Sequence, residues 1–235
     1  MFYFDPTYLI ILPAFIFSIW ASVRVNSTFK KYNRLYCLSG YTGSTAARAV
    51  LDRYGLYDVR IEHVGGNLTD HYDPRDNVIR LSDSVYHSRS AAAIGVACHE
   101  AGHAVQHAEN YLPIKIRSAL VPITNFGSQA GIWLFFIGVL LTYFSETFVI
   151  LAYFGVALFS LTALFQLVTL PTEFNASRRA MTAIRETGIL DPEAQSGAKK
   201  VLSAAALTYV AALAVTLTQI LRLLVILSGA RRRND

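Results

Sequence analysis

Apolar positions fall into two patterns along the chain: long, nearly uncharged blocks, and short segments in which they recur at helical or strand spacing. The first block, Tyr8 to Val23, contains Pro13 and aromatic flanks, but neither a positive leading region nor a small-residue cleavage site, so it reads as an anchor rather than a signal peptide. Ala119 to Tyr143 and Phe148 to Leu170 are two further spanning candidates. The short link around Ser145 and Glu146 folds them into a helical hairpin that returns the chain to its starting side. The last block, Val201 to Leu227, is long enough to cross about 30 Å of hydrocarbon. It carries Arg222, however, and is followed by Arg231, Arg232 and Arg233, which leaves open whether it spans or lies against the domain.

Between the first two blocks the pattern is that of a folded domain in water. Thr42 to Leu56 reads as a capped helix in which Gly43 and Ser44 lead and Gly55 ends it. Val59 to Val64 reads as a strand, Gly65-Gly66-Asn67 and Asp73 to Asn77 as turns, and Val78 to Leu81 as a second strand. Ser82 or Asp83 can cap the next helix. From Ser90 to about Glu109, Ile94, Ala97, Ala101 and Ala104 form one apolar face of an alanine-rich helix, which Pro113 ends. The expected fold is α+β, mostly α-helical: a folded domain combined with three or four transmembrane helices. The expected division is an N-terminal anchor (1–25), a domain facing the cytoplasm (26–118), the hairpin (119–170), a second cytoplasmic segment (171–200), and an apolar helix with a basic tail (201–235).

Composition agrees with a membrane protein, with 53% hydrophobic and 16% charged residues in 235. The formal charge of +5 comes without a basic helix face or aromatic–basic interleaving, so no nucleic-acid partner is expected. The cations instead flank apolar segments. Arg24, Lys30, Lys31 and Arg34 follow the first block with no acid until Asp52, and Arg178, Arg179, Arg185, Lys199 and Lys200 follow the hairpin. By the positive-inside bias both regions are cytoplasmic, and the expected partner is the bilayer of a bacterial-type plasma membrane. Cys37 and Cys98 lack a paired spacing and read as reduced core thiols.

The chemistry lies in His99-Glu100-Ala101-Gly102-His103, the H-E-x-x-H pattern. Residues four apart on a helix share a face, so two imidazoles can close on one zinc ion while the neighbouring carboxylate serves as general base. With six His in the chain, a shuffled sequence would hold roughly 0.005 such patterns, which makes chance a poor explanation. His107 lies too far along a straight helix, about 12 Å from His99, to share the ion. The pattern with a glycine turn and a third His also fails, because Gln106 and Glu109 occupy those places. The third ligand must come from elsewhere. Glu173, in Leu170-Pro171-Thr172-Glu173-Phe174-Asn175-Ala176-Ser177-Arg178-Arg179, is the leading candidate, at the start of a helix emerging from the membrane. A plain helix-dipole acid is the alternative role for it, and Glu186 and Glu193 are its competitors.

HEAGHAVQH, LPTEFNASRRA and the upstream DHYDPRDNVIRLS together resemble the YugP-type family of membrane zinc metallopeptidases. The layout is also similar to membrane proteases of the HtpX and CAAX-prenyl type, in which two membrane helices separate the zinc helix from a glutamate ligand. The resemblance implies that the folded domain is a zincin-like metallopeptidase domain, with His99, His103 and Glu173 as ligands of one Zn2+ per chain and Glu100 as the base. The sequence departs from the pattern at Asn175, where the family usually has Asp, and at Ser177, where the HtpX type has an acid. Either oxygen can accept the same hydrogen bond without the charge. Asn175 and Ser177 are thus candidates to support a ligand, His71, Tyr72 and Arg178 to stabilise an oxyanion, and Val78, Ile79, Arg80 and Leu81 to form an edge strand that pairs with a peptide. The expected activity is hydrolysis of peptide bonds in peptides or membrane proteins. The competing expectation is a non-catalytic scaffold with a closed, four-ligand zinc site.

Overall fold

The computed structural model describes residues 5–231, with side chains to residue 229. The first four residues of the expected anchor, and Arg232 and Arg233 of the basic tail, lie outside the described residues.

The elements in chain order are α1 (Tyr8–Tyr32), α2 (Gly43–Arg53), β1 (Arg60–Val64), β2 (His71–Asp73), β3 (Val78–Ser82), α3 (Ala91–Ala108), α4 (Leu112–Leu141), α5 (Val149–Thr187) and α6 (Pro192–Arg231). A single 3-10 turn, Glu146–Phe148, lies between α4 and α5. The chain is mostly helical with one small sheet, as the sequence predicts. Among the described residues, four helices are long and apolar enough to cross a membrane: α1, α4, α5 with its leading turn, and α6.

Two compact units divide the chain. The first comprises residues 1–20, 116–170 and 209–235 and contains the apolar parts of the four long helices. Glycine sets its hairpin: a Cβ on Gly131 of α4 would come within 2.7 Å of the Gly155 carbonyl oxygen of α5, and one on Gly155 within 2.6 Å of the Gly131 oxygen. Such small residues let helix backbones approach where lipid supplies no hydrophobic drive. Phe135 is fully enclosed, packing with Ala152, Val156 and Phe159 of α5 and Leu223 and Leu227 of α6. Arg222, which makes the last apolar block ambiguous in sequence, is buried and held. Its Nη2 lies 3.0 Å from Asp5 Oδ2, its Nε donates to Thr7 Oγ1 at 3.0 Å, and its guanidinium lies 3.8 Å from the centre of the Tyr8 ring.

The second unit comprises residues 21–115 and 171–208. Thr42 caps α2 in a reciprocal capping box with Thr45, and Gly55, at φ +71°, stops it as the sequence predicts. The sheet order is β1-β3-β2, with β1 parallel and β2 antiparallel to β3. This corrects the expectation for Val78 to Leu81: β3 is the central strand, both its edges are occupied, and it has none to offer a peptide. Three other expectations shift. Ser90, rather than Ser82 or Asp83, caps the alanine-rich helix. Pro113 opens α4 rather than ending α3, since its missing N–H is harmless in a first turn. Finally, α5 continues unbroken through Pro171, so Glu173 sits deep within a 39-residue helix and not at the start of a new one.

Candidate metal centre

The site is built where α3 meets α5. Ser90 caps α3, its hydroxyl accepting from the Ala93 N–H at 3.1 Å. Helical periodicity then sets the rings of His99 and His103 with centroids 4.7 Å apart at 82°. Gly102, between them, faces α5: a Cβ there would come within 2.7 Å of the Ala176 carbonyl oxygen. Because α3 is bare at that point, Glu173 can reach the imidazoles. Its Oε2 lies 3.2 Å from His99 Nε2 and 3.6 Å from His103 Nε2. The ligand atoms of His99, His103 and Glu173 all lie within 4.8 Å of one another.

This donor set fits zinc. Two imidazole nitrogens and one carboxylate oxygen are a recurrent catalytic ligand set that leaves a fourth position open. No fourth His, Cys, Asp or Glu joins the three among the described residues. Glu173 is almost fully buried, so it can no longer be read as an exposed acid complementing a helix dipole. Its competitors are elsewhere: Glu186 pairs with Arg53 at 2.6 Å, and Glu193 is exposed in the first turn of α6.

The imidazoles are oriented from behind by neutral groups. Ser177 Oγ lies 3.1 Å from His99 Nδ1, and Gln106 Oε1 lies 3.0 Å from His103 Nδ1. Asn175 touches neither ring; its Oδ1 instead accepts from Gln106 Nε2 at 2.9 Å and from Arg179 Nε at 2.7 Å. Burial alone pulls the His103 pKa down. The hydrogen bond to Glu173 and the charges of Glu100 and Glu173 outweigh it, so the net shift is upward and the site attracts a cation.

Glu100 is buried beside this cluster, its Oε2 accepting the backbone N–H of Tyr72 at 3.0 Å. Thus β2, too short to be predicted, aims the carboxylate. Asp70, just before β2, accepts from the Ser82 N–H at 2.7 Å and the Ser82 hydroxyl at 3.0 Å, which ties β2 to the end of β3. Burial raises the Asp70 pKa against those hydrogen bonds. Tyr72 directs its hydroxyl to Asn77 Oδ1 at 2.9 Å, and its ring lies 5.5 Å from that of His107. Both His71, whose Nδ1 lies 2.9 Å from the Thr69 carbonyl oxygen, and Arg178 are exposed and outside the ligand cluster. Gln106 and Arg179, to which the sequence pattern assigns no role at the site, also link α3 and α5 here.

This geometry accords with what comparison finds. A family model described as "Putative neutral zinc metallopeptidase" matches residues 7–228, and the chain belongs to that family. It is also 48% identical over 217 residues, 92% of this chain and 94% of the relative, to a protein of Bacillus subtilis (strain 168) named "Putative membrane protease YugP". No solved structure gives a significant match. The protein is thus a zinc-peptidase family member with four candidate membrane-spanning helices.

Proposed function

We propose that the protein is a membrane-embedded zinc endopeptidase that holds one Zn2+ per chain on His99, His103 and Glu173 and uses Glu100 as general base. The observation that carries this reading is the convergence of three ligand atoms beside a buried carboxylate that is not one of them. Bound there, the ion would supply Lewis acidity to the scissile carbonyl and acidify the attacking water. The chain's own groups do the rest. Glu100, oriented by the Tyr72 N–H, takes the proton from water and delivers it to the leaving amine. Ser177 and Gln106 hold the Nε2 atoms of His99 and His103 toward the centre.

The substrates we propose are peptide segments of membrane proteins, reached from the cytoplasmic face. Arg24, Lys30 and Lys31 in the C-terminal part of α1 and Arg34 just beyond it support that orientation, and the apolar helices support substrates that reside in the same membrane. A plasma membrane of bacterial type is the location we propose. A structural zinc scaffold would need a fourth protein ligand, and the geometry favours an open site.

The test is zinc content and proteolysis of detergent-purified protein. Wild type should carry one zinc. Glu100→Gln should keep the metal and lose cleavage by at least 10²-fold, in line with the usual contribution of a general base. Glu173→Ala should bind zinc weakly. Wild type without zinc, or a fully active Glu100→Gln, would refute the reading.

A further inference from the structure

Resting on the metal site proposed above, we infer that Gln106 is a positioning residue: it fixes the tautomer of His103 and locks the helix carrying Glu173 against the helix carrying both imidazoles. Gln106 is fully buried, and each polar atom of its amide has a partner. Its Nε2 lies 2.8 Å from the Thr172 carbonyl oxygen and 2.9 Å from Asn175 Oδ1. A carbonyl only accepts, so the atom facing Thr172 must be the NH2 group. Asn175 Oδ1 is identified in the same way, since the atom 2.7 Å from it is Arg179 Nε, which only donates.

With both amide hydrogens committed to α5, Oε1 is left facing His103 Nδ1 at 3.0 Å. Amide oxygen only accepts, so Nδ1 must carry the hydrogen, and a neutral His103 then presents the lone pair of Nε2, the atom 3.6 Å from Glu173 Oε2. The tautomer is set by a closed chain of donors and acceptors. The chain also continues: Arg179 Nη1 pairs with Glu109 Oε2 at 2.7 Å, and Glu109 is the C-cap of α3. Two rungs thus join α3 to α5: Gln106 to Thr172 and Asn175, and the C-cap residue Glu109 to Arg179. The Gln106 rung grips the backbone one residue before Glu173.

The group that faces His103 Nδ1 from behind is a neutral amide. A carboxylate at Gln106 would still accept from Nδ1, but would lose both donors to α5. This separates the two roles. Chelator-competition measurements of zinc affinity on the full-length protein in detergent, with Co2+ visible spectra and metal-free melting curves in parallel, test them. Gln106→Leu should weaken zinc about 10- to 100-fold, the usual cost of removing such a support, and alter the Co2+ band. Gln106→Glu should recover most of that affinity while melting lower than wild type.

Wild-type affinity and an unchanged Co2+ spectrum in Gln106→Leu would overturn the inference. So would equal losses of affinity in the Leu and Glu variants, which would assign Gln106 to helix packing alone. Should Gln106→Leu fail to accumulate, Asn175→Leu removes one acceptor from the amide and leaves Oε1 in place. A several-fold fall in affinity is then expected, and no fall would overturn the proposal. A wild type that binds no zinc would instead sink the metal reading on which the inference rests.

Discussion

Cys98 and His99 are neighbours in sequence with opposite environments: the imidazole is partly open, while the thiol is fully enclosed in the core of α3. Burial pushes the Cys98 pKa up to about 12. Burial, with a smaller contribution from the negative charge of Asp191, pushes Cys37 up to about 11. Thiolate is the reactive form, so at pH 8 neither residue should be alkylated by iodoacetamide in the folded protein within minutes, while both should react in SDS. Mass spectrometry of the labelled chain checks this, and prompt modification of either thiol in native protein would contradict it. His103 makes a second case. Its raised pKa means that protons compete for the ring at a higher pH than for an ordinary imidazole. A zinc ligand must be neutral, so zinc affinity should fall with acidification, and the fall should begin above the normal histidine range. Affinity titrated from pH 8 to pH 5.5 measures it; a flat profile would contradict the assignment of His103 as a ligand.

At the scale of elements, the site depends on how closely α5 can approach α3. A methyl at Gly102 would meet backbone, the Ala176 carbonyl oxygen at 2.7 Å, whereas one at Gly95 would meet the Ala198 methyl at 3.0 Å on α6. Both substitutions should lower stability by about 1–3 kcal/mol through overpacking. Only Gly102→Ala should also cost zinc affinity, because of the two helices packed against these glycines only α5 carries a ligand. Melting curves paired with zinc titration separate the two, and equal zinc loss in both variants would refute the argument. The same contact marks the limit of what the sequence reveals. His99, Glu100 and His103 were legible because helical periodicity alone brings them together. Glu173 was found as a lone acid in the right segment. Its setting is not legible in the sequence, because Pro171 looks like a helix boundary, while the preceding helix carries straight through it. β2 is three residues long and shows no alternation, so neither the strand, nor its hold on Glu100, nor the pairing that makes β3 central is visible in the sequence. Gln106 and Arg179 look like ordinary polar residues until a second helix is laid against them.

At the scale of the whole molecule, the open question in the sequence is the last apolar block, and within the first unit the pairing of Arg222 bears on it. A guanidinium buried among apolar helices is tolerated when paired, and the partners here are Asp5, Thr7 and the ring of Tyr8, at the other end of the chain. The C-terminal part of α6 therefore lies beside the beginning of α1. If α1 enters the membrane from outside, α4 and α5 return as a hairpin, and α6 must cross once more to bring Arg222 to Asp5. On the orientation proposed above, the chain beyond α6 is then expected on the outer face, with the cations around residues 24–34 and 178–200 on the inner one. Impermeant maleimide on intact cells tests this. A cysteine added after residue 235 should label from outside, while one replacing the exposed Asp76 should label only after permeabilisation, against the low background of two buried native thiols. The clasp should also respond asymmetrically to mutation. Arg222→Leu leaves behind an Asp5 that is 35% exposed at its side chain and can be hydrated, whereas Asp5→Ala leaves a guanidinium at 8% exposure without its counter-charge. The Asp5 variant should therefore melt lower than the Arg222 variant. The reverse order would mean that Arg222 is held by packing rather than by charge, and its pairing could then no longer be used to place the end of α6.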